Sequence, residues 1–210
     1  MADTSTSPIQ IALASGADRE SIYRLRHLVF AEELHQHPEH AEQRLTDCTD
    51  AHNVYIVAKL DQTIVGCISV TPPGHKYSID RYLSREELPF LCDDGLYEVR
   101  LLTILPGYRH SVIGGELAGL LIYATFRWID HLGGRRVVAI GRREVLGLYC
   151  KIGLEPLGRE IRCGAVTFEL ISTTMDNARR RLESYVPLVR YVQPHVDWRL
   201  AIPYLPTPST

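Results

Sequence analysis

The sequence lacks the features that define several broad classes of protein. Its five cysteines are odd in number and form no Cys-x-x-Cys pair, which argues against a disulfide framework and favours a reducing compartment. No uncharged apolar run approaches the roughly 18 residues that a membrane span requires. The formal net charge of −2 provides no basic field for nucleic acid or an anionic membrane surface. We therefore expect a cytoplasmic protein that binds neither nucleic acid nor membrane.

The pattern that is present is that of one α/β unit with an extension. With 210 residues and 45% hydrophobic content, the chain can bury one substantial core. Runs of branched apolar residues predict strands at residues 9–14, 54–59, 63–71, 96–105, 136–140, 155–161 and 165–171. Helical spacing predicts helices over residues 18–31, with Asp18 as N-cap, and over residues 111–131, 143–152 and 177–185. We expect one domain over residues 1–172, and a helical and extended tail over residues 173–210 that packs on that domain or on a second subunit.

The segment between residues 105 and 115 joins a strand to the longest helix and contains the residue types of an anion site. Pro106 and Gly107 end the strand, and Arg109 precedes the small residues Gly114 and Gly115. The start of a helix presents free N–H groups and the positive end of the helix dipole, so a phosphate is the simplest ligand to expect. The two glycines alone would equally suit close packing of the helix on the sheet.

This segment resembles the coenzyme-A motif of the GNAT (N-acetyltransferase) superfamily. In that motif an Arg/Gln-x-x-Gly-x-Gly/Ala sequence wraps the donor pyrophosphate, and Arg109 to Gly114 occupy those positions, with Val112 in place of the first glycine. Residues 148–154 (LYCKIGL) resemble the later leucine-tyrosine and glycine-phenylalanine signature. The resemblance covers about residues 8–172 and implies a GNAT fold of the α/β (α+β) class, with a central mixed, mostly antiparallel sheet flanked by helices. The implied donor-binding residues are Leu102, Thr103, Ile104, Arg109, His110, Ser111, Val112, Ile113, Gly114 and Gly115.

The N-terminal half resembles a narrower branch, the acyl-homoserine-lactone synthases and the related N-acyl amino acid synthases. The resemblance rests on residues 25–34 (LRHLVFAEEL), 47–50 (DCTD) and 64–72 (IVGCISVTP). It implies an acyl chain delivered on an acyl carrier protein and an acceptor site shaped by Arg26, Phe30, Asp47 and Asp50. Ser69 stands where the lactone synthases carry a second arginine at their S-adenosylmethionine site, which points to a different amine as acceptor.

Two residues are candidates for proton transfer. Aminolysis of a thioester requires a neutral amine, a polarised carbonyl and protonation of the departing thiolate. Glu98 can accept the proton of the amine, directly or through water, and the resemblance implies the same residue; a salt bridge to Arg100 is the alternative. Tyr149 can donate a proton to the leaving sulfur, as the corresponding tyrosine does in ordinary superfamily members, or can simply be a packed aromatic. Backbone N–H groups of residues 102–104, near an expected bulge, would bind the pantetheine amides and the developing oxyanion.

Charged residues of the N-terminal half are candidates for binding the acceptor. Arg26, helped by Arg100, can clamp a carboxylate with bidentate geometry, or can be a surface arginine. Asp47 and Asp50 can bind a protonated amine, although Asp-x-x-Asp in a polar loop also suits a turn.

Two further groups of residues are assigned no specific site. His35, His37 and His40 lack the spacing typical of zinc ligands, so no metal is predicted. The basic residues at 135–136, 142–143 and 179–181 can attract an acidic carrier protein or can form solvated faces.

The sequence thus predicts an N-acyltransferase that moves an acyl group from a phosphopantetheine thioester, on an acyl carrier protein, to the amine of a small molecule or amino acid in specialised-metabolite biosynthesis. No tightly bound cofactor is expected, and the tail allows a homodimer. Three alternatives stay open. An acetyl-CoA or acyl-CoA N-acetyltransferase is disfavoured by Val112, and an autoinducer synthase is disfavoured by Ser69. The third is a non-catalytic acyl-thioester-binding or scaffold protein.

Overall fold

The computed structural model describes residues 8–109, 114–163 and 166–202, which form one eight-stranded sheet with helices on both faces. The strands are β1 (Ile9–Leu13), β2 (Val54–Leu60), β3 (Thr63–Thr71), β4 (Leu96–Ile104), β5 (Arg136–Arg142), β6 (Glu155–Cys163), β7 (Val166–Thr174) and β8 (Val196–Arg199). Their order across the sheet is β6-β7-β5-β4-β3-β2-β1-β8. The pairs β4–β5 and β1–β8 are parallel and the other pairs are antiparallel, so the mixed, mostly antiparallel sheet is confirmed.

The helices divide the core between the two faces of the sheet. Their bounds are α1 (Arg19–His27), α2 (Gly114–His131), α3 (Leu146–Lys151), α4 (Met175–Glu183) and α5 (Val186–Val192). Helices α2, α4 and α5 share one apolar core with the sheet, in which Leu117 and Leu121 are fully enclosed. On the opposite face, Ile22 and Leu25 of α1 pack against Val57 of β2. None of the described helices is both long enough and apolar enough to cross a membrane.

Several element boundaries differ from the sequence expectation for local reasons. Asp18 does not cap α1 through its side chain; its Oδ2 instead accepts from the backbone N of Ser15 at 2.7 Å, so the helical segment begins after Ser15. Helix α1 continues as a wider helical turn over Leu28–Glu33. The predicted helix over residues 143–152 divides into a short turn at Arg143–Val145 and α3.

The described cysteines differ in exposure, and the tail pairs with the edge of the sheet. Among the four described cysteine side chains, those of Cys48 and Cys150 are exposed and only that of Cys67 is buried. In the tail, β8 pairs with β1 over residues 196–199 and 9–12. The described part of the tail therefore packs on the body of the same chain.

The sheet opens between β4 and β5. Residues 96–98 pair with residues 136–138, and no further pairing joins these two strands in the described part of the chain. Strand β4 bulges just beyond this point, because Leu101 has a left-handed backbone (φ 52°) and the register with β3 shifts between Cys67 and Ser69. Strand β5 stays paired with β7 through Arg142, so β4 and β5 diverge and leave a cleft in the sheet.

Candidate active site

The cleft between β4 and β5 contains two adjoining cavities. The larger, which we call the polar cavity, has a volume of about 280 Å³. The smaller, which we call the apolar pocket, has a volume of about 50 Å³ and is lined mostly by aliphatic and aromatic side chains, among them Ile68, Val99, Ile122, Phe126, Ala139, Ile152 and Leu154. Both are lined by Arg100, Leu101, Leu102, Ile140 and Tyr149. The two cavities therefore meet at the bulge of β4.

The walls of the polar cavity carry an excess of positive charge. Its charged side chains are Arg81, Arg100, Arg142 and Asp47, three arginines against one aspartate, with His37 beside them. Its other walls are formed by Phe30, Leu34, Gln36, Tyr82, Val166 and Phe168. Three of the predicted acceptor residues, Phe30, Asp47 and Arg100, thus lie in one cavity. The sequence analysis did not identify Arg81, because it lies in the irregular segment between β3 and β4, where no periodicity marks it.

Asp47 is held in place by donors from three parts of the chain. Its Oδ2 accepts from Arg100 at 2.9 Å, and its Oδ1 accepts from Arg81 at 3.2 Å and from both the backbone N and the hydroxyl of Thr49 at 2.9 Å. Burial raises the pKa of Asp47, but the hydrogen bond and charge of Arg100 outweigh burial and bring the pKa well below its ordinary value. Asp47 is therefore ionised and fixes the two arginines at the cavity wall.

Arg26 and Asp50 form a buried pair behind this wall. Arg26 is 1% exposed and donates from Nη1 to Asp50 Oδ1 at 2.9 Å, an oxygen that also accepts from the hydroxyl of Tyr55 at 2.7 Å. The other oxygen of Asp50 accepts from the backbone N of Asp47 at 2.6 Å. These bonds tie α1 to the loop of residues 47–53, which we call the acidic loop. Arg26 and Asp50 thus bind each other inside the protein, and their predicted contact with an acceptor stays a prediction.

Glu98 is completely buried at the point where β4 and β5 part. Its Oε2 accepts from the backbone N of Ser78 at 2.7 Å, and its Oε1 accepts from the Ser78 hydroxyl at 2.5 Å and from the backbone N of Ile79 at 3.1 Å. Burial raises the pKa of Glu98, and the charge of Arg100 and the Ser78 bonds act in the opposite direction. Glu98 thus anchors the segment after β3, and its predicted catalytic role stays a prediction.

Tyr149 lies where the two cavities meet. Its ring packs on Gly141 of β5, where an added Cβ would lie 2.6 Å from Tyr149 Cε2, so a glycine is needed for this contact. Burial raises the pKa of Tyr149, opposed by the charge of Arg142. The phenol is therefore protonated at neutral pH, and its predicted role as the general acid stays a prediction.

The predicted donor-binding residues fall into three groups. Leu102 lines both cavities, whereas Thr103 and Ile104 pair with β3 opposite Cys67 and Gly66. The side chain of Arg109 bonds within the protein: its Nε donates to Ile104 O at 3.1 Å, and its Nη1 donates to Glu33. His110, Ser111, Val112 and Ile113 lie outside the described residues. Gly114 and Gly115 lie in the first turn of α2. The binding of the acyl donor by these residues remains a prediction.

Within the described side chains, no group of three or more His, Cys, Asp or Glu residues could hold a metal ion. His27 is buried and contacts Glu32 through Nδ1 at 2.9 Å, while its Nε2 accepts from the backbone N of His40 at 2.9 Å.

His37, which the sequence analysis weighed only as a metal ligand, lines the polar cavity instead. The signal available in the sequence was its position shortly after the predicted helix over residues 18–31, which contains Phe30.

Comparison with solved structures shows the same fold in acyltransferases. A CoA-dependent acyl-homoserine lactone synthase, BjaI, crystallised with SAM and isopentyl-CoA, matches with a TM-score of 0.71 and 19% identity over 91% of this chain and 93% of that chain. The acyl-homoserine lactone synthase LasI matches with a TM-score of 0.70 and 16% identity over 84% and 94%. A putative N-acetyltransferase from Lactobacillus plantarum matches with a TM-score of 0.61 and 16% identity over 80% and 99%. The expected GNAT fold is confirmed.

Comparison of sequences gives the family. No curated protein sequence matches the chain. A family model does match, over residues 21–176, which include the acidic loop, the cleft and Tyr149. The chain belongs to the N-acyl amino acid synthase FeeM family and is an N-acyltransferase of the GNAT superfamily, in the branch near the acyl-homoserine lactone synthases.

Proposed function

We propose that this protein transfers an acyl group from a phosphopantetheine thioester on an acyl carrier protein to the amine of an amino acid or a similar small carboxylated amine. The observation that carries this proposal is the junction of an apolar pocket and a cation-rich cavity at the bulge of β4. The thioester carbonyl would lie at the junction, with the acyl chain on one side and the amine on the other. Specialised-metabolite biosynthesis is the setting that such a product suits.

The apolar pocket suits a short acyl chain. Its walls include Phe126 and Ile122 of α2 and Ile152 and Leu154 beyond α3, and burial of each methylene there contributes about 0.8 kcal/mol. The pocket is small, about 50 Å³, so it favours chains of few carbons. A long acyl chain would have to displace Phe126 or leave the pocket.

The charge of the polar cavity suits an anionic group on the acceptor. Arg81, Arg100 and Arg142 line it, and Asp47 offsets only part of their charge. The Nε of Arg100 is buried and has no hydrogen-bond partner in the part of the chain that the structure describes, so this guanidinium has a donor left for a ligand. A carboxylate accepts such donors in bidentate geometry, which favours an amino acid over a simple amine.

Tyr149 would protonate the departing thiolate, and the backbone of β4 after Glu98 would bind the pantetheine arm and the developing oxyanion. Beyond residue 98 this backbone has no strand partner on the β5 side among the described residues, so its polar groups are available to a ligand. The acyl carrier protein as donor rests on the sequence resemblance, and the neighbouring basic residues at 142–143 would meet its acidic surface.

The test is an amide-forming assay with matched donors and acceptors. The purified protein is given the same short acyl group on a holo carrier protein or on CoA, with an amino acid, its methyl ester or its decarboxylated amine. Mass spectrometry measures the amide, and titration of thiols measures the released donor. The proposal expects amide from the carrier thioester and the amino acid, with at least a tenfold loss of kcat/KM, about 1.4 kcal/mol, when the carboxylate is removed. Equal rates with the CoA thioester would show that CoA can serve as the donor in place of the carrier protein. Binding of the thioester without formation of amide would favour a non-catalytic acyl-thioester-binding or scaffold protein.

A further inference from the structure

The polar cavity contains a histidine to which the proposed mechanism assigns no role. His37 lies at the exposed rim of the cavity, which is also lined by Arg100 and Tyr149. Its position is fixed by the backbone, because the N–H groups of Gln36 and His37 both donate to Phe30 O, at 2.8 and 3.2 Å. The backbone of His37 is thus held close to the wider turn at Leu28–Glu33.

The ring nitrogens of His37 are free to exchange a proton. In the described part of the chain neither nitrogen makes a hydrogen bond. The two carboxylates near the site differ in this respect, because both oxygens of Glu98 are bound by Ser78 and Ile79, and both oxygens of Asp47 are bound by arginines and Thr49. His37 is therefore the base beside the cavity whose lone pair no protein donor occupies, among the described residues that line it.

The charges around His37 keep its imidazole neutral. Partial burial lowers its pKa below the usual 6.5, and the positive charges of Arg26 and Arg100 lower it further, against the opposing charge of Asp47. His40 on the same loop also lowers it slightly. Arg81 and Arg142 line the same cavity, as do the phenols of Tyr82 and Tyr149. At neutral pH the ring is mostly unprotonated and can accept a proton.

We propose that His37 is the general base that takes the proton from the ammonium group of the acceptor. This inference rests on the proposed function. The ammonium gives one proton to the imidazole and becomes a neutral amine, whose nitrogen attacks the thioester carbon. The C–N bond forms and the C–S bond breaks; the second proton lost by nitrogen reaches the sulfur through Tyr149. His37, at the exposed rim, returns its proton to solvent, so the net products are an amide, a thiol and one proton.

The experiment measures kcat/KM against pH for the wild type and His37→Gln with the carrier thioester and the preferred amino acid. A general base contributes about 10²-fold or more, so a loss of this size is expected near neutral pH. The loss should shrink as the pH approaches the pKa of the acceptor's own amine, because solvent then supplies the neutral amine. The acidic limb of the wild-type profile, set by the lowered pKa of His37, should disappear in the variant. Added imidazole should restore much of the rate to His37→Ala.

The controls separate this inference from the proposed function. His35→Asn changes an exposed histidine of the same loop whose backbone is left-handed, which asparagine tolerates, and it should keep the wild-type profile. A deficit of His37→Gln that is constant at all pH values, or an unchanged profile, overturns the assignment of His37 while the wild type still forms amide. A wild type that forms no amide overturns the proposed function and this inference with it.

Discussion

Polar side chains in the cleft differ in how many hydrogen bonds the protein itself already supplies to them. Asp50 and Glu98 have both oxygens occupied, while Tyr149 and His37 face the cavity. A saturated group contributes to the fold, and an unsaturated group at a cavity can act on a ligand. The predictions for single residues follow from this difference.

Tyr149→Phe should lower kcat by about 10²-fold with little change in KM, because it removes the proton donor for the thiolate and keeps the ring. The phenylalanine ring can still pack on Gly141. Steady-state kinetics with the carrier thioester measure the effect. Tyr191→Phe, on the exposed side of α5, is the matched control. A variant with wild-type kcat would show that the thiolate leaves without protonation by this phenol.

Glu98→Gln should destabilise the fold by about 1–3 kcal/mol, because an amide NH₂ would face donors of Ser78 or Ile79 that now share a carboxylate. Denaturant unfolding measures the change, with the exposed Glu144→Gln as control. Activity should fall only as far as the folded fraction falls. Full stability with loss of turnover would instead support the catalytic role predicted from the sequence.

At the scale of elements, the acidic loop connects α1 to the sheet through buried charge. Arg19 of α1 donates to the backbone carbonyls of Asp50 at 2.5 Å and Asn53 at 3.1 Å, and Thr71 of β3 donates to the side chain of Asn53 at 2.7 Å. The loop therefore positions Asp47 against Arg100 and so shapes the polar cavity from a distance. A change in this loop should affect stability before it affects chemistry.

Asp50→Asn should cost about 3–5 kcal/mol, because it leaves Arg26 buried without a compensating charge. Tyr55→Phe removes only one hydrogen bond to the same carboxylate and should cost about 1 kcal/mol. Chemical unfolding of both variants gives the comparison. Equal costs would contradict the role of Asp50 as the counter-charge of Arg26.

At the scale of the whole molecule, the apolar pocket is assembled from distant parts of the chain. Its walls come from β3, β4, α2, β5, α3 and the residues that follow α3. Phe126 reaches it from α2, which packs on the face of the sheet opposite α1. The size of the pocket therefore depends on how α2 sits over the point where β4 and β5 diverge.

Phe126→Leu should move the preferred acyl chain toward greater length, by about one carbon, because it removes volume at the pocket wall. A methylene that fits such a pocket changes kcat/KM by roughly tenfold or more. The measurement is kcat/KM for a series of acyl chains differing by one carbon. Ile129→Val, on the same helix and away from the pocket, should leave the preference unchanged. An identical chain-length profile in Phe126→Leu would place the acyl chain elsewhere.

Much of the fold could be predicted because its elements are marked by local patterns. The strands at residues 54–59 and 63–71 alternate or run apolar between clear turns, and both were found nearly at their observed bounds. The tail strand β8 was missed, because its four residues gain a partner only when β1 lies beside them. The error at Asp18 has a local cause instead, because its carboxylate binds Ser15 three residues earlier in the chain.

The sequence by itself determined the family, the order of most elements and several residues that meet in the cleft, because motif spacing and periodicity are local properties of the chain. Tyr149, Arg100, Asp47 and Phe30 were all named in advance, and the structure places them around one cavity. Only the tertiary structure decided which polar groups are already bound. Burial and hydrogen bonding depend on neighbours far apart in sequence, so Glu98 pairs with Ser78 while His37 keeps a free nitrogen at the cavity rim.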